Sequence, residues 1–151
     1  MRLASRISLI CLVILVACGS GENKEIGALM SQRENAFETK DAELYMTLIE
    51  PGYREQKDDK TIGLEEIKKN FLTNVSLFDN LKITHSNRSI YMKGDEADVF
   101  QITLVEADIN DSKSAFKLSE KLRVKKFGDK WLIVKESGAD YFEGYVFGGQ
   151  N

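Results

Sequence analysis

Glu120 is the residue whose surroundings give a carboxylate the most to do. It stands in a stretch of alternating character, with Leu118 and Leu122 on its own phase and Lys117, Ser119, Lys121, Arg123 and Lys125 on the other. A turn at Asn110–Ser112 pairs this stretch with the one before it, so that Phe100 opposes Leu122, Leu104 opposes Leu118 and Ile102 opposes Glu120. That register places a carboxylate inside an apolar patch and leaves the odd positions as a solvated face. Apolar surroundings disfavour the charged form and raise proton affinity toward the range useful for general acid or base work. The other reading of the same residue is a rim position, paired with a lysine or partly wet. Glu106, on the same phase but nearer the turn, is expected to be exposed.

His85 follows Leu81 and Ile83 on an alternating face and is expected to point inward, as a catalytic partner of Glu120 or as a hydrogen-bonded structural residue. Tyr45 and Tyr53 carry hydroxyls that either reach a pocket mouth or serve as wet tips of core rings. Trp131 opens the last strand and is expected to anchor the core. No nucleophile elbow, phosphate loop or dinucleotide fingerprint stands in the sequence. Gly19-Ser20-Gly21 reads as linker.

The elements that must position these residues follow from periodicity. Ile26, Leu29, Met30, Arg33 and Phe37 recur at helical spacing, the long stem of Arg33 being tolerable on that face. Asp41 caps a second, shorter helix with Leu44, Tyr45, Leu48 and Ile49, stopped by Pro51-Gly52. Tyr53 to Asp59 reads as a short edge strand or a loop. A third helix carries Leu64, Ile67, Phe71, Leu72, Val75 and Phe78 on one side. The period then turns to alternation, with strands expected over Leu81–Met92, Glu96–Ala107, Ala115–Phe127 and Trp131–Lys135. Turn residues Lys93-Gly94-Asp95, Asn110-Asp111-Ser112 and Gly128-Asp129 separate them. Helices followed by consecutive antiparallel strands specify an α+β domain with helices on one sheet face.

The first residues belong to no fold. Arg2 and Arg6 precede an apolar run from Ile7 to Ala17, too short to cross a bilayer, which needs about 20 residues, and of the right size for a signal peptide. Leu15-Val16-Ala17-Cys18 resembles the bacterial lipobox, whose cysteine is lipidated and becomes the new N-terminus. The other reading is an ordinary signal peptide with an incidental cysteine. Two or more acyl chains anchor a protein stably, where one binds only marginally. The expectation is therefore a leader over 1–17, a lipidated Cys18 with a polar tether over 18–24, one domain over 25–137 and an aromatic, glycine-rich tail over 138–151. Gly19 in place of the retention aspartate of enteric lipoproteins implies, in a Gram-negative cell, the outer membrane facing the periplasm.

Loss of the leader leaves 19 basic against 24 acidic residues, a mature charge of −5, which does not suggest a nucleic-acid partner. Cys11 leaves with the leader, Cys18 carries lipid and one histidine remains, so neither a metal nor another cofactor is expected.

Ala36-Phe37, Lys40-Asp41, Leu44-Tyr45, Leu48-Ile49 and Pro51-Gly52-Tyr53, in that order, resemble the opening of nuclear transport factor 2-like domains, also called SnoaL-like. So do Gly63-Leu64-Glu65-Glu66-Ile67, Ala97-Asp98-Val99 and Gly128-Asp129-Lys130-Trp131-Leu132-Ile133. The resemblance implies a strongly curved sheet wrapped around the helices as a cone, often with a pocket at its open end. Residues expected to line that pocket are Tyr45, Tyr53, Phe100, Ile102, Leu122 and Trp131. Enzymes of the superfamily use an acidic residue in the cone for isomerisation or dehydration, but no motif of theirs stands here to be carried over residue by residue. Dimerisation through the sheet face is frequent in the superfamily. Two functions follow as expectations. One is an anchored, non-catalytic module that binds an apolar small molecule or an envelope protein; the other is a small-molecule isomerase or dehydratase using Glu120 and His85. The tail aromatics Tyr141, Phe142, Tyr145 and Phe147 are expected either to cover the domain's own surface or to dock a partner.

Overall fold

A computed structural model describes residues 19–57 and 59–137. The leader, the lipobox and the aromatic tail lie outside the described residues. Helix α1 runs Gly19–Glu38, about 30 Å at 1.5 Å per residue. It therefore takes in residues 19–24 of the segment that was expected to be a tether, a stretch with no proline to stop the helix. Its buried stripe is Ile26, Leu29, Met30, Arg33, Ala36 and Phe37. The helix closes with Lys40 at φ 57°. There Lys40 N–H donates to Phe37 O at 3.2 Å and Asp41 N–H to Ala36 O at 2.9 Å, the paired bonds of a Schellman ending with a lysine where glycine is usual.

Asp41 then caps α2, Ala42–Thr47, its carboxylate accepting from Leu44 N–H at 2.9 Å. Strands β1, Glu55–Lys57, and β2, Lys60–Ile62, form a small antiparallel pair. The edge strand expected near Tyr53 is thus real and has a partner of its own. Helix α3, Leu64–Val75, buries Phe71 and Val75. Leu72, expected on the same side, is exposed, since one residue turns a helix by about 100° away from Phe71.

Four strands follow as an antiparallel meander in the order of the chain: β3, Asp79–Lys93; β4, Glu96–Ile109; β5, Ser112–Phe127; and β6, Lys130–Ser137. The sheet is curved, and the helices cover its inner face. Gly94 and Gly128 take φ of 64° and 60° at the first position of two-residue turns, where a Cβ would be strained.

The β4–β5 turn decides which side chains face the helices. Ile109 pairs with Ser112, so the loop is only Asn110-Asp111, both at positive φ (49° and 62°), the sign pattern of a type I′ hairpin. The expected three-residue turn set the register one residue off. In a period-two structure that flips a whole strand to the other face. Val99 opposes Leu122 and Gln101 opposes Glu120, and the odd residues of β4 point inward. Phe100 and Ile102, expected in the pocket, lie on the outer face at 38% and 39% exposure.

Candidate functional site

A polar stripe crosses the inner face where the sequence predicts apolar packing. Its centre is Glu120 on β5, whose side chain is fully buried. Arg33, from the apolar stripe of α1, reaches it with Nη1 donating to Oε1 at 3.1 Å. The other carboxylate oxygen, Oε2, accepts from Gln101 Nε2 at 2.7 Å and from the Thr103 hydroxyl. Gln101 and Thr103 occupy two of the odd β4 positions that the two-residue turn directs inward.

Arg33 also grips Glu136 near the end of β6, Nε to Oε1 at 3.0 Å and Nη2 to Oε2 at 3.1 Å. This parallel fork is the strongest geometry available to a guanidinium and a carboxylate. Two tyrosines close the end of the stripe. Tyr45 hydroxyl donates to Glu136 Oε2 at 3.4 Å, and Tyr53 hydroxyl accepts from Glu136 N–H at 3.3 Å. Tyr45 is held by its ring, stacked on Phe71 at 4.6 Å between centroids.

At the other end, a bulge in β3 between Ser86 and Ser89 carries Asn87 at φ 53°. One extra residue in the strand re-aims its neighbour, and Arg88 turns toward α1. Its Nε donates to Gln101 Oε1 at 2.7 Å and its Nη2 to Glu34 Oε1, while Nη1 approaches Gly27 O at 3.4 Å. Burial holds the Arg88 guanidinium below its usual proton affinity, opposed by the nearby charges of Glu34 and Glu120. His85 Nδ1 lies 3.1 Å from the same Glu34 oxygen, with its side chain 35% exposed.

A continuous chain of contacts therefore runs His85, Glu34, Arg88, Gln101, Glu120, Arg33, Glu136 and the two tyrosines. Isolated buried charges of this kind are costly, and matched ones persist because every member has partners. Among the described residues no buried side-chain nitrogen or oxygen lacks a hydrogen bond. The apolar patch expected around Glu120 is replaced by an amide, a hydroxyl and a guanidinium. All three aim donors at its oxygens, the pattern suited to an ionised acceptor. A proton donor or acceptor at Glu120 would have to break those contacts first.

The structure brings Glu120, Tyr45 and Tyr53 together through Arg33 and Glu136, and joins His85 to them only through Glu34 and Arg88. Leu122 is fully buried core. Trp131 is also core, its Nε1 donating to Glu25 Oε2 at 3.2 Å. The sequence reading missed Glu34, Arg88, Gln101, Thr103 and Glu136. The signal for Arg33 was present, since an arginine at a core position of a helical stripe calls for a buried anion. Among the described residues no group of three or more His, Cys, Asp or Glu side chains is placed to hold a metal ion.

The sequence matches no protein-family model and no curated protein. Solved structures do resemble it. A nuclear transport factor 2-like superfamily protein from Salmonella enterica serovar Typhimurium superposes with a TM-score of 0.68 at 18% identity, covering 79% of this chain and 92% of that one. A cystatin-like fold protein from Nostoc punctiforme gives 0.65 at 21%, covering 78% and 89%. A dehydratase candidate of the NTF2-like family from Streptomyces avermitilis gives 0.67 at 12%, covering 77% and 93%. At such identities the likeness speaks for architecture alone: this chain has the α+β fold shared by nuclear transport factor 2-like and cystatin-like proteins.

Proposed function

We propose that the protein is a lipid-anchored module of the bacterial envelope that binds a small molecule or an envelope protein and performs no chemistry of its own. The observation that carries this reading is the occupancy of Glu120. Its oxygens are taken by Arg33, Gln101 and Thr103, so the carboxylate best placed for acid or base work is committed to holding α1 against the sheet. Anchoring rests on the lipobox-like Leu15-Val16-Ala17-Cys18 and gives the localisation as the membrane surface, the outer membrane in a Gram-negative cell.

A second reading, an isomerase or dehydratase, draws support from the His85–Glu34 pair at 3.1 Å. A carboxylate on one ring nitrogen orients a histidine and leaves the other nitrogen for proton transfer. One of the similar structures is named a dehydratase candidate.

Native mass spectrometry of the protein purified from membranes decides between them. A reproducible bound small molecule or co-purifying envelope protein, with Cys18 carrying acyl mass, supports the binding module. Turnover of any such molecule, lost in Glu120→Gln or Glu34→Gln variants that still fold, overturns it in favour of the enzyme.

A further inference from the structure

Strand β5 runs from Ser112 to Phe127, and β6 is described alongside it from Phe127 back to Lys121, where Lys121 pairs with Ser137. Beyond that point β5 continues beside β4, from Glu120 to Ser112, with no break in register. The direction of its backbone groups there is fixed by the turn. Ile109 and Ser112 are the closing pair of the two-residue Asn110-Asp111 hairpin, and the closing pair of such a hairpin exchanges both hydrogen bonds. Even residues of β5 therefore bond to β4. The N–H and C=O groups of Lys113, Ala115, Lys117 and Ser119 point to the side on which β6 runs.

The chain leaves Ser137 heading along that side. Residues 138–151, which lie outside the described residues, are long enough to reach Ser112 at the rise of a strand. Continued at the register of Lys121 and Ser137, they set Gly138 opposite Glu120, Tyr141 opposite Lys117, Phe142 opposite Phe116 and Glu143 opposite Ala115. The two sequences match on both faces. Phe142 falls on the inner face with Phe116, which packs against the core with its ring centroid 6.3 Å from that of Phe78. Gly138 adds no side chain over the Arg33–Glu120 pair. On the outer face Glu143 stands diagonal to both Lys113 and Lys117, which are exposed, and diagonal neighbours lie within reach of long side chains.

We propose that the chain's own C-terminal segment, from Gly138 to Val146, docks on the β5 edge as an extension of β6. A strand edge recruits other strands, and lysines alone are a common guard against that. An acid set between the two lysines, with an aromatic ring on the alternate phase, is what an added strand needs and a merely guarded edge does not. The segment is then a strap over a strand-addition site. An extended peptide from a partner has to displace it before pairing with β5. The inference does not depend on lipidation of Cys18.

The test measures hydrogen exchange of the full chain purified from membranes, residue by residue, by mass spectrometry with electron-transfer fragmentation, against a chain ending at Ser137. The amides of Lys113, Ala115, Lys117 and Ser119 are expected to exchange about tenfold faster in the shortened chain, the worth of one net hydrogen bond. Ser114 and Leu118, which bond to β4, change little. Glu143→Lys keeps the full length and is expected to speed the same four amides about threefold, and K113E/K117E in that background restores the slow rates. Asp140 is the one charged side chain of the segment that this register turns inward, opposite Leu118, so Asp140→Leu is expected to slow exchange; faster exchange in it overturns the register. Equal rates in the full and shortened chains overturn the proposal. So does protection that fades on dilution, which assigns the edge to a second copy, or protection lost when a co-purifying protein is washed away, which assigns it to a partner. If the shortened chain does not fold, Glu143→Lys decides alone, and unchanged rates in it overturn the strap.

Discussion

Arg33 and Glu136 stand 103 residues apart in the chain and meet through two parallel hydrogen bonds, at 3.0 and 3.1 Å. With Glu120 at 3.1 Å on the remaining side, one guanidinium joins the first helix to the last two strands. The core of this domain is thus keyed by charge as well as filled by apolar side chains.

Removing that key leaves two carboxylates without the guanidinium that joined them. Arg33→Met is expected to cost about 3–5 kcal/mol of unfolding free energy, because an uncompensated buried charge remains. Glu120→Gln is milder. The double variant loses less than the sum of the two, with a coupling of at least about 1 kcal/mol. Denaturant titration of the four proteins measures it, and strictly additive costs would show that the two groups do not act as a pair.

The two-residue Asn110-Asp111 turn makes a sharp claim about faces. Leu122→Ala removes a fully buried side chain and is expected to lose about 2–5 kcal/mol. Ile102→Thr, on the outer face, stays within about 0.5 kcal/mol of the parent. Comparable losses at both sites would mean that β4 is turned over.

Hydrogen bonds from Lys93 and Arg123 hold the Asp98 carboxyl down from its ordinary value of 3.8 to about 2. A carboxylate whose proton affinity is lower in the folded state stabilises the fold above its unfolded value and loses that contribution as acid is added. Stability is therefore expected to fall between about pH 4 and pH 2. In Asp98→Asn that part of the slope should be missing. An identical acid profile for the variant would place the titration elsewhere.

The sequence by itself determined the order of elements. The helical period through Ile26 to Phe37, the Asp41 cap, the Pro51-Gly52 stop and the alternation after Asp79 are local signals, written within one or two turns of chain, and the α+β meander follows from them. Glu120 was also legible as an inward carboxylate, because alternation along a single strand needs no partner to be read. What surrounds Glu120 was decided only by tertiary structure. Whether Phe100 or Gln101 faces the helices depends on one residue in a hairpin loop, where two left-handed residues close the turn and a third would invert the strand. The β3 bulge that turns Arg88 inward depends likewise on an inserted residue that a period-two pattern does not register. Arg33 sat in plain view on an apolar stripe, but its partners lie on β5 and β6, and only the folded sheet brings those carboxylates to it.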